Sequence, residues 1–266
     1  MKWNRVVGGA LLGLGLVAGG TPVGALAAVQ TKAVAYEDQG EKLTGHLYWD
    51  DAVAGPRPGI LVIHEWWGLD DYAQRRARML AELGYVAFAA DMYGTGRVTD
   101  TPDQARAWMQ EVTADVEWWR GRALAGLAQL KADPNVDSTK LAAIGYCFGG
   151  GSVIQLAYGG TDQLKGVVSF HGALPAAPEE ANGRIKPRML ILHGQADPMV
   201  TPEMVDHFEK RLGEAGASWE LVSYGGVLHS FTNPKADTRG MAALKYDPLA
   251  DQRSWARMRG FFEEIF

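Results

Sequence analysis

Short runs of apolar, β-branched residues alternate with longer amphipathic stretches along this chain. Residues 59–63 and 85–90 are continuous apolar runs, as expected for strands that are buried on both faces. Between these two runs, Asp70 and Asp71 begin a helical pattern, which stops at Gly84. A strand, a helix and a second strand in this order predict a βαβ unit with parallel strands.

The same alternation continues to the end of the chain. Further strands are predicted at residues 141–146, 164–170, 189–193 and 219–224, after an opening hairpin of residues 34–36 and 43–48 around Gly40. Further helices are predicted to begin at Thr101-Pro102 and Asp247-Pro248 and to span residues 116–131, 149–158 and 202–215. No linker rich in proline or serine divides this pattern. It therefore predicts one doubly wound α/β domain with a mostly parallel sheet.

The start of the chain differs from the rest. Lys2 and Arg5 precede an apolar, glycine-rich stretch, and the small-residue pattern Ala25-Leu26-Ala27 follows it. This is the layout of a secretory signal peptide, so we expect residues 1–28 to be cleaved off. The alternative is an uncleaved membrane anchor, for which the apolar stretch is at the short limit. The mature domain, residues 29–266, is then expected in the periplasm or outside the cell, and not at a membrane.

Composition and charge narrow the possible functions. The chain has 266 residues, of which 47% are hydrophobic and 21% charged, as in an ordinary soluble globular protein. The formal net charge is −5 and no cluster of lysine and arginine reverses its sign, so nucleic acid is not an expected partner. Cys147 is the only cysteine, which excludes a disulfide within the chain. An unpaired cysteine is unusual in an exported protein, and this favours a chemical role for it.

The surroundings of this cysteine indicate which role. It lies in Gly145-Tyr146-Cys147-Phe148-Gly149, between a predicted strand and a predicted helix. This is the nucleophile-elbow pattern G-x-S-x-G, with cysteine in the place of serine. The sharp turn needs small residues two positions to either side, and a helix N-terminus favours the thiolate, which is the reactive form. The alternative is a buried structural cysteine.

Two residues that follow in the chain are candidate partners of the nucleophile. Asp197 and His229 come in the order typical of this elbow, which is nucleophile, acid and then histidine. Each comes just after a predicted strand, where catalytic groups gather in open α/β sheets. We expect His229 to take and return the thiol proton, and Asp197 to orient the imidazole. Taken singly, Asp197 could be a turn residue and His229 a polar loop residue.

The loop after the first apolar strand carries His64-Glu65-Trp66-Trp67-Gly68. In this architecture that loop supplies one backbone N–H of an oxyanion hole, and the residue after the nucleophile supplies the other. Trp66 and Phe148 are therefore the candidate donors, and Glu65 is expected beside the nucleophile. His64-Glu65 also begins an H-E-x-x-H zinc motif. Gly68 stands where the second histidine would be, so no metal or other cofactor is expected.

Together these motifs resemble the dienelactone hydrolase family of the α/β-hydrolases. The resemblance covers about residues 43–266. It rests on Val62-Ile63-His64-Glu65-Trp66-Trp67-Gly68, Ala90-Asp91-Met92-Tyr93, Ile144-Gly145-Tyr146-Cys147-Phe148-Gly149-Gly150, His193-Gly194-Gln195-Ala196-Asp197 and His229-Ser230-Phe231. It implies an α/β-hydrolase fold, a Cys-His-Asp triad without a metal, and hydrolysis of an ester or lactone. It also implies that Glu65 contacts the resting thiol and can take its proton.

Some residues are candidates for holding the substrate. Tyr93 ends the Asp-Met-Tyr segment, and Arg97 and Arg106 lie in the region where similar enzymes hold a substrate carboxylate with an arginine. A second such arginine, a few residues after the histidine, is replaced here by Thr232-Asn233-Pro234, so dienelactone itself is not assigned as the substrate. His171, at another predicted strand end, is a candidate for lining the pocket, with packing as the alternative.

The expected activity is hydrolysis of a carboxylic ester or lactone through an acyl-enzyme on Cys147. The expected partner is thus a small-molecule substrate. A thioesterase or another acyl hydrolase would use the same site. A third possibility is a non-catalytic binding or thiol-sensing protein on this fold, because accessible thiols are readily oxidised. The sequence leaves the oligomeric state open.

Overall fold

The computed structural model describes residues 1–2 and 29–266, so most of the predicted signal peptide lies outside the described residues. The strands are β1 (Val29–Asp38), β2 (Glu41–Asp50), β3 (Arg57–Ile63), β4 (Val86–Ala90), β5 (Val136–Tyr146), β6 (Gly166–Phe170), β7 (Arg188–Gly194) and β8 (Trp219–Tyr224). The helices are α1 (Asp71–Glu82), α2 (Pro102–Thr113), α3 (Val116–Lys131), α4 (Phe148–Tyr158), α5 (Pro202–Glu214) and α6 (Pro248–Ile265). Short 3₁₀ helices occur at Glu179–Ala181 and Ala236–Arg239.

These strands form one eight-stranded sheet in the order β1-β2-β4-β3-β5-β6-β7-β8. The pairs β1–β2 and β2–β4 are antiparallel, and the pairs from β4–β3 through to β7–β8 are parallel. Apolar side chains of α1 and α6 pack on one face of the sheet, and those of α2 to α5 pack on the other. This arrangement confirms the predicted doubly wound, mostly parallel α/β fold.

Burial on both faces explains why the central strands are continuous apolar runs. All five residues of β4 are buried, and they divide between the two apolar layers by alternation. Leu80 of α1 and Phe262 of α6 belong to one layer, whereas Leu127 of α3 and Ile154 of α4 belong to the other. Among the described residues, no helix combines the length and apolarity needed to cross a bilayer.

The structure departs most from the predicted element bounds in the opening hairpin and in β5, and other bounds shift by one or two residues. The opening hairpin is longer than predicted, with ten residues in each strand. It turns at Gln39 and Gly40, whose φ values of 50° and 82° suit the type I′ turn that matches the twist of two strands. Strand β5 begins at Val136 and not at residue 141. Its first part, residues 137–140, is polar, and its register with β3 shifts between Pro58 and Gly59. A strand of this kind does not produce an apolar run.

The carboxyl ends of the parallel strands meet at one edge of the sheet. Their register places Ile63 at the end of β3 opposite Gly145 of β5, and Tyr146 opposite Phe170 at the end of β6. Gly194 at the end of β7 pairs with Tyr224 at the end of β8 in the same way. The loops that carry the candidate catalytic residues therefore emerge side by side.

Candidate active site

Cys147 lies at the turn between β5 and α4 and has a strained backbone. Its φ of 53° and ψ of −112° lie outside the regions that L-residues favour, at a cost of roughly 1–3 kcal/mol. Its N–H donates to the carbonyl of Phe170 at 3.0 Å, which ties the turn to the end of β6. The side chain is half-buried, so the sulfur keeps some access from outside. This is the conformation expected of a nucleophile elbow.

Gly145 and Gly149 leave the room that the elbow needs. A Cβ atom on Gly145 would overlap the carbonyl group of Gly149, and one on Gly149 would overlap the carbonyl oxygen of Ile63. Both obstacles are backbone atoms, which cannot move aside as the end of a flexible side chain would. The close approach of β3, the turn and α4 therefore explains both glycines of the motif.

His229 and Asp197 form a buried hydrogen-bonded pair at the ends of β8 and β7. His229 Nδ1 lies 2.6 Å from Asp197 Oδ2, and Asp197 Oδ1 accepts the N–H of Met199 at 2.8 Å. The backbone of His229 is held as well, since its N–H donates to the Ala243 carbonyl at 3.1 Å and its carbonyl accepts from Lys245 at 3.0 Å. The ring is thus fixed through Nδ1, which leaves Nε2 for chemistry.

The electrostatic environment of His229 favours the imidazolium form. Burial acts to lower the pKa of His229, but the charge of Cys147 and the hydrogen bond that His229 donates to Asp197 outweigh it and raise this pKa well above its ordinary value. Nε2 makes no hydrogen bond of good geometry within the described residues, so Cys147 is the group with which it can exchange a proton. The structure therefore brings the three residues of the predicted triad together.

The two predicted oxyanion donors flank the elbow. The N–H of Phe148 is the first of α4, where no carbonyl of the helix can accept it. The N–H of Trp66 has no backbone acceptor in the described part of the chain. The Trp66 loop is anchored to the elbow through the N–H of Gly149, which donates to the His64 carbonyl at 3.1 Å. His64 is fixed in turn, since its Nε2 accepts the N–H of Met92 at 3.2 Å. Within the part of the chain that the structure describes, both N–H groups thus lack a backbone acceptor, and hydrogen bonds tie the loop of one to the turn of the other.

Glu65 is fully buried and turned toward the loop of His229. Its carboxylate accepts hydrogen bonds from the Ser230 hydroxyl and, at 2.6 Å, from the Asn233 side-chain amide. Burial raises the pKa of Glu65, although these two hydrogen bonds act to lower it. No hydrogen bond joins Glu65 to the Cys147 thiol among the described residues, so the contact implied by the family resemblance is not the one made here. Glu65 instead links the loop after β3, residues 64–68, to the loop after β8, residues 225–233. We call these the oxyanion loop and the histidine loop.

The two arginines predicted to hold a substrate are Arg97 and Arg106. Arg97 pairs with Glu41 at 3.6 Å and with Glu111 at 3.4 Å, so two carboxylates already balance its charge. Arg106 lies exposed on α2. Within the described residues neither side chain hydrogen-bonds to Cys147 or its partners. The expected role of these arginines thus has no support in their positions, because ion pairing on the surface determines where Arg97 points.

His171 and Tyr93, the other two candidates for substrate binding, are both buried. His171 has no exposed surface, and its Nε2 lies 2.6 Å from the Thr232 hydroxyl. It therefore packs behind His229 and does not line an open pocket. The ring of Tyr93 packs against Phe148, with centroids 5.4 Å apart. The charge of Cys147 acts, after burial, to raise the pKa of the Tyr93 hydroxyl. Tyr93 thus lies against Phe148, whereas the side chain of His171 is engaged with Thr232 and His229.

Sequence reasoning missed several residues of this site. Ser230 and Asn233 hold Glu65, and Trp119 stacks on Phe148 with ring centroids 5.9 Å apart. The indole N–H of Trp119 donates to the Ser152 hydroxyl at 2.8 Å, which fixes this stack to the first turn of α4. The only sequence signal for Ser230 and Asn233 was their closeness to His229.

The parallel sheet, the elbow after β5, and the acid and histidine after β7 and β8 together define an α/β-hydrolase. The model of the dienelactone hydrolase family matches residues 43–266. The chain therefore belongs to the dienelactone hydrolase family, and the resemblance seen in the motifs is confirmed. Its class of chemistry is the hydrolysis of ester or lactone bonds.

Similar proteins match over most of their length. Protein usf of Aquifex pyrophilus is 29% identical over 238 residues, which cover 87% of this chain and 97% of that protein. The solved structure m3DLH is 42% identical with a TM-score of 0.86, and the match covers 90% of this chain and 99% of the other. The dienelactone hydrolase-like promiscuous phosphotriesterase P91 from metagenomic libraries is 40% identical, with a TM-score of 0.86 and the same coverage. The similarity thus spans the whole fold and is not limited to the elbow.

Proposed function

We propose that this protein hydrolyses a carboxylic ester or lactone through a thioester formed on Cys147. The thiolate attacks the carbonyl carbon, and the N–H groups of Trp66 and Phe148 stabilise the negative oxygen of the tetrahedral intermediate. As the intermediate collapses, His229 Nε2 gives its proton to the departing alkoxide and the acyl group stays on sulfur. Asp197 holds the imidazole in the tautomer that this transfer needs.

The second half of the cycle uses the same groups in reverse. Water attacks the thioester carbonyl while His229 Nε2 takes a proton from it. Collapse of the second tetrahedral intermediate releases the acid and returns the thiolate to Cys147. The small-molecule ester or lactone is the only partner that this cycle requires, and it requires no metal or cofactor.

Two features together carry the proposal most directly: the strained backbone of Cys147, and a histidine, His229, whose Nδ1 lies 2.6 Å from the buried Asp197 carboxylate. The charge of Cys147 helps to raise the pKa of His229, as a thiolate–imidazolium pair would. A buried structural cysteine needs neither a strained backbone nor a histidine partner.

The test is turnover of a panel of neutral esters, thioesters and lactones by the native protein and by Cys147→Ala. We expect the native protein to hydrolyse an ester or lactone, and Cys147→Ala to lose roughly 10⁴-fold or more in kcat. Acid quenching of the native protein during turnover of a slowly hydrolysed ester, followed by mass spectrometry of the intact protein, should show the added mass of one acyl group. Cys147→Ala should show no such addition. Equal turnover by both proteins, or none by the native protein across the panel, would contradict the proposal.

We also propose that the enzyme acts in the periplasm or outside the cell, because its first 28 residues have the layout of a cleavable signal peptide. Expression of the full chain in a bacterium with a periplasm, followed by N-terminal sequencing, should give exported protein that begins near Val29. Full-length protein that stays in the cytoplasm would contradict export, and full-length protein in the membrane would indicate the uncleaved anchor.

A further inference from the structure

The hydroxyl of Tyr93 is a buried donor without a partner. Tyr93 is 1% exposed, and its hydroxyl makes no hydrogen bond to any described residue. Leaving a buried hydroxyl unpaired is costly because its hydration is lost and nothing replaces it, so such groups are rare unless a function uses them. The ordinary remedy, an acceptor supplied by the protein, is lacking here.

Its neighbours fix the ring where it is. The Tyr93 ring meets His64 edge-on with centroids 4.9 Å apart, and it lies 5.4 Å from Phe148 and 6.0 Å from Trp108. Its N–H is held by Asp91 Oδ1 at 3.0 Å. Phe148 carries one of the two proposed oxyanion donors, and His64 lies two residues before Trp66, which carries the other. The hydroxyl therefore cannot swing out to water without breaking the packing that forms the site.

Electrostatics keep this hydroxyl protonated. Burial, followed by the charge of Cys147, raises the pKa of Tyr93 well above its ordinary value. Tyr93 is therefore available as a donor and not as a base. Tyr146 also has an unpaired buried hydroxyl, but its ring lies under the Arg76 guanidinium, 5.6 Å from the ring centroid, on the other side of the sheet. The nucleophile side thus has one unpaired phenol, and that is Tyr93.

We propose that the Tyr93 hydroxyl is a third hydrogen-bond donor to the substrate carbonyl oxygen, beside the N–H groups of Trp66 and Phe148. This inference rests on the proposed function. When Cys147 attacks, one electron pair of the C=O bond moves onto the oxygen, and Tyr93 donates a hydrogen bond to it without giving up its proton. The bond is made in full only with the tetrahedral intermediate, so it stabilises the transition state more than the bound substrate.

The test is Tyr93→Phe, which removes one oxygen and keeps the ring. Loss of an oxyanion donor is expected to lower kcat by about 10²-fold on a neutral chromogenic ester, with a change of less than about twofold in KM. The rate of Cys147 alkylation by iodoacetamide across pH should stay unchanged, since that reaction forms no oxyanion. Tyr158→Phe is the matched control, because its buried hydroxyl donates to the Pro175 carbonyl at 2.8 Å, away from the triad.

Stability separates this role from a structural one. Removing an unpaired hydroxyl should leave the thermal midpoint of Tyr93→Phe unchanged or higher, whereas the midpoint of Tyr158→Phe should fall because that variant loses a hydrogen bond. Unchanged kcat in Tyr93→Phe would overturn the inference. An equal slowing of alkylation would overturn it too, because Tyr93 would then serve the resting thiolate. If the native protein is active, Cys147→Ala inactive and Tyr93→Phe fully active, only this inference fails and the proposed function stands.

Discussion

The imidazole rings of His171 and His229 meet edge to face, with centroids 5.4 Å apart. Two protonated imidazoles at this distance would repel each other, and the surroundings of His171 keep it neutral. Burial, the charge of His229 and the charge of Arg76 lower the pKa of His171 well below its ordinary value. His171 is therefore a neutral ring whose Nε2 contacts Thr232 and which packs against His229, the proposed catalytic histidine. It acts as a positioning residue behind His229.

This relationship predicts how stability depends on pH. Because the pKa of His171 is lower in the folded state, the unfolded chain binds a proton first as pH falls below about 6.5. Below that pH, protonation of His171 in the unfolded chain should lower the free energy of unfolding by up to about 1.4 kcal/mol per pH unit. His171→Phe has no imidazole at this position and should not show this decrease. The free energy of unfolding of the native protein minus that of His171→Phe should therefore decrease from pH 7 to pH 5. An increase over that range would contradict a neutral His171.

Activity gives a second measure of the same substitution. His171→Phe keeps a ring beside His229 but loses the contact with Thr232, so we expect kcat to fall less than about tenfold. A loss as large as that of His229→Ala would mean that His171 itself handles a proton in the reaction.

A second prediction concerns the charge state of the catalytic pair. The charge of Cys147 is the largest of the effects that raise the pKa of His229. Cys147→Ala should therefore lower the pKa of His229, which can be followed by NMR titration of the imidazole resonances. The stability that the raised pKa of His229 contributes is fully present below about pH 6.5 and is lost as the pH rises through the pKa of the folded state. The free energy of unfolding of Cys147→Ala should therefore depend less steeply on pH in this range. An unchanged titration of His229 would show that no thiolate acts on it.

Cys147, Asp197 and His229 could be assigned from the sequence to neighbouring strand ends because each follows a recognisable apolar strand, and the strands are where the pattern predicted them. Contacts between loops were beyond the same reasoning. Ser230 and Asn233 follow His229, but no local pattern indicates that both turn to Glu65, which lies more than 160 positions earlier. The position of Arg97 likewise depends on carboxylates that tertiary packing brings near it. Periodicity reports burial along an element, whereas these pairs depend on how the elements meet.

The elbow glycines give a third prediction. Gly145→Ala forces a Cβ atom into the backbone of Gly149, so we expect a loss of about 3 kcal/mol or more in unfolding free energy, together with most of the activity. Gly213→Ala is the matched control, since Gly213 lies within α5 with open space at its Cβ position. That control should be stabilised by roughly 0.5–1 kcal/mol and keep full activity. Similar stability in the two variants, measured by urea unfolding, would refute the steric account of the elbow.

The last prediction tests the link that Glu65 makes between the oxyanion and histidine loops. Because burial raises the pKa of Glu65, the folded state holds the proton more tightly than the unfolded chain does. The stability from this group is therefore present below about 4.3 and is lost as pH rises through the folded value. Glu65→Gln cannot titrate, so the native protein's advantage over it should shrink as pH rises from 4 to 7.

The kinetics of the same variant report on the link itself. In Glu65→Gln an NH₂ group replaces one of the two carboxylate oxygens, which accept from Ser230 and Asn233 respectively. The NH₂ either faces the Asn233 amide, donor against donor, or forces the Ser230 hydroxyl to turn and accept, so one of the two native hydrogen bonds is lost. We expect kcat to fall about tenfold or more, since a small displacement of the histidine loop misplaces the proton transfer. Asn233→Ala, which removes one donor and leaves the carboxylate, should lose less. If Glu65→Gln keeps full activity, Glu65 does not position the two loops, and the hydrogen bonds at its carboxylate serve stability alone.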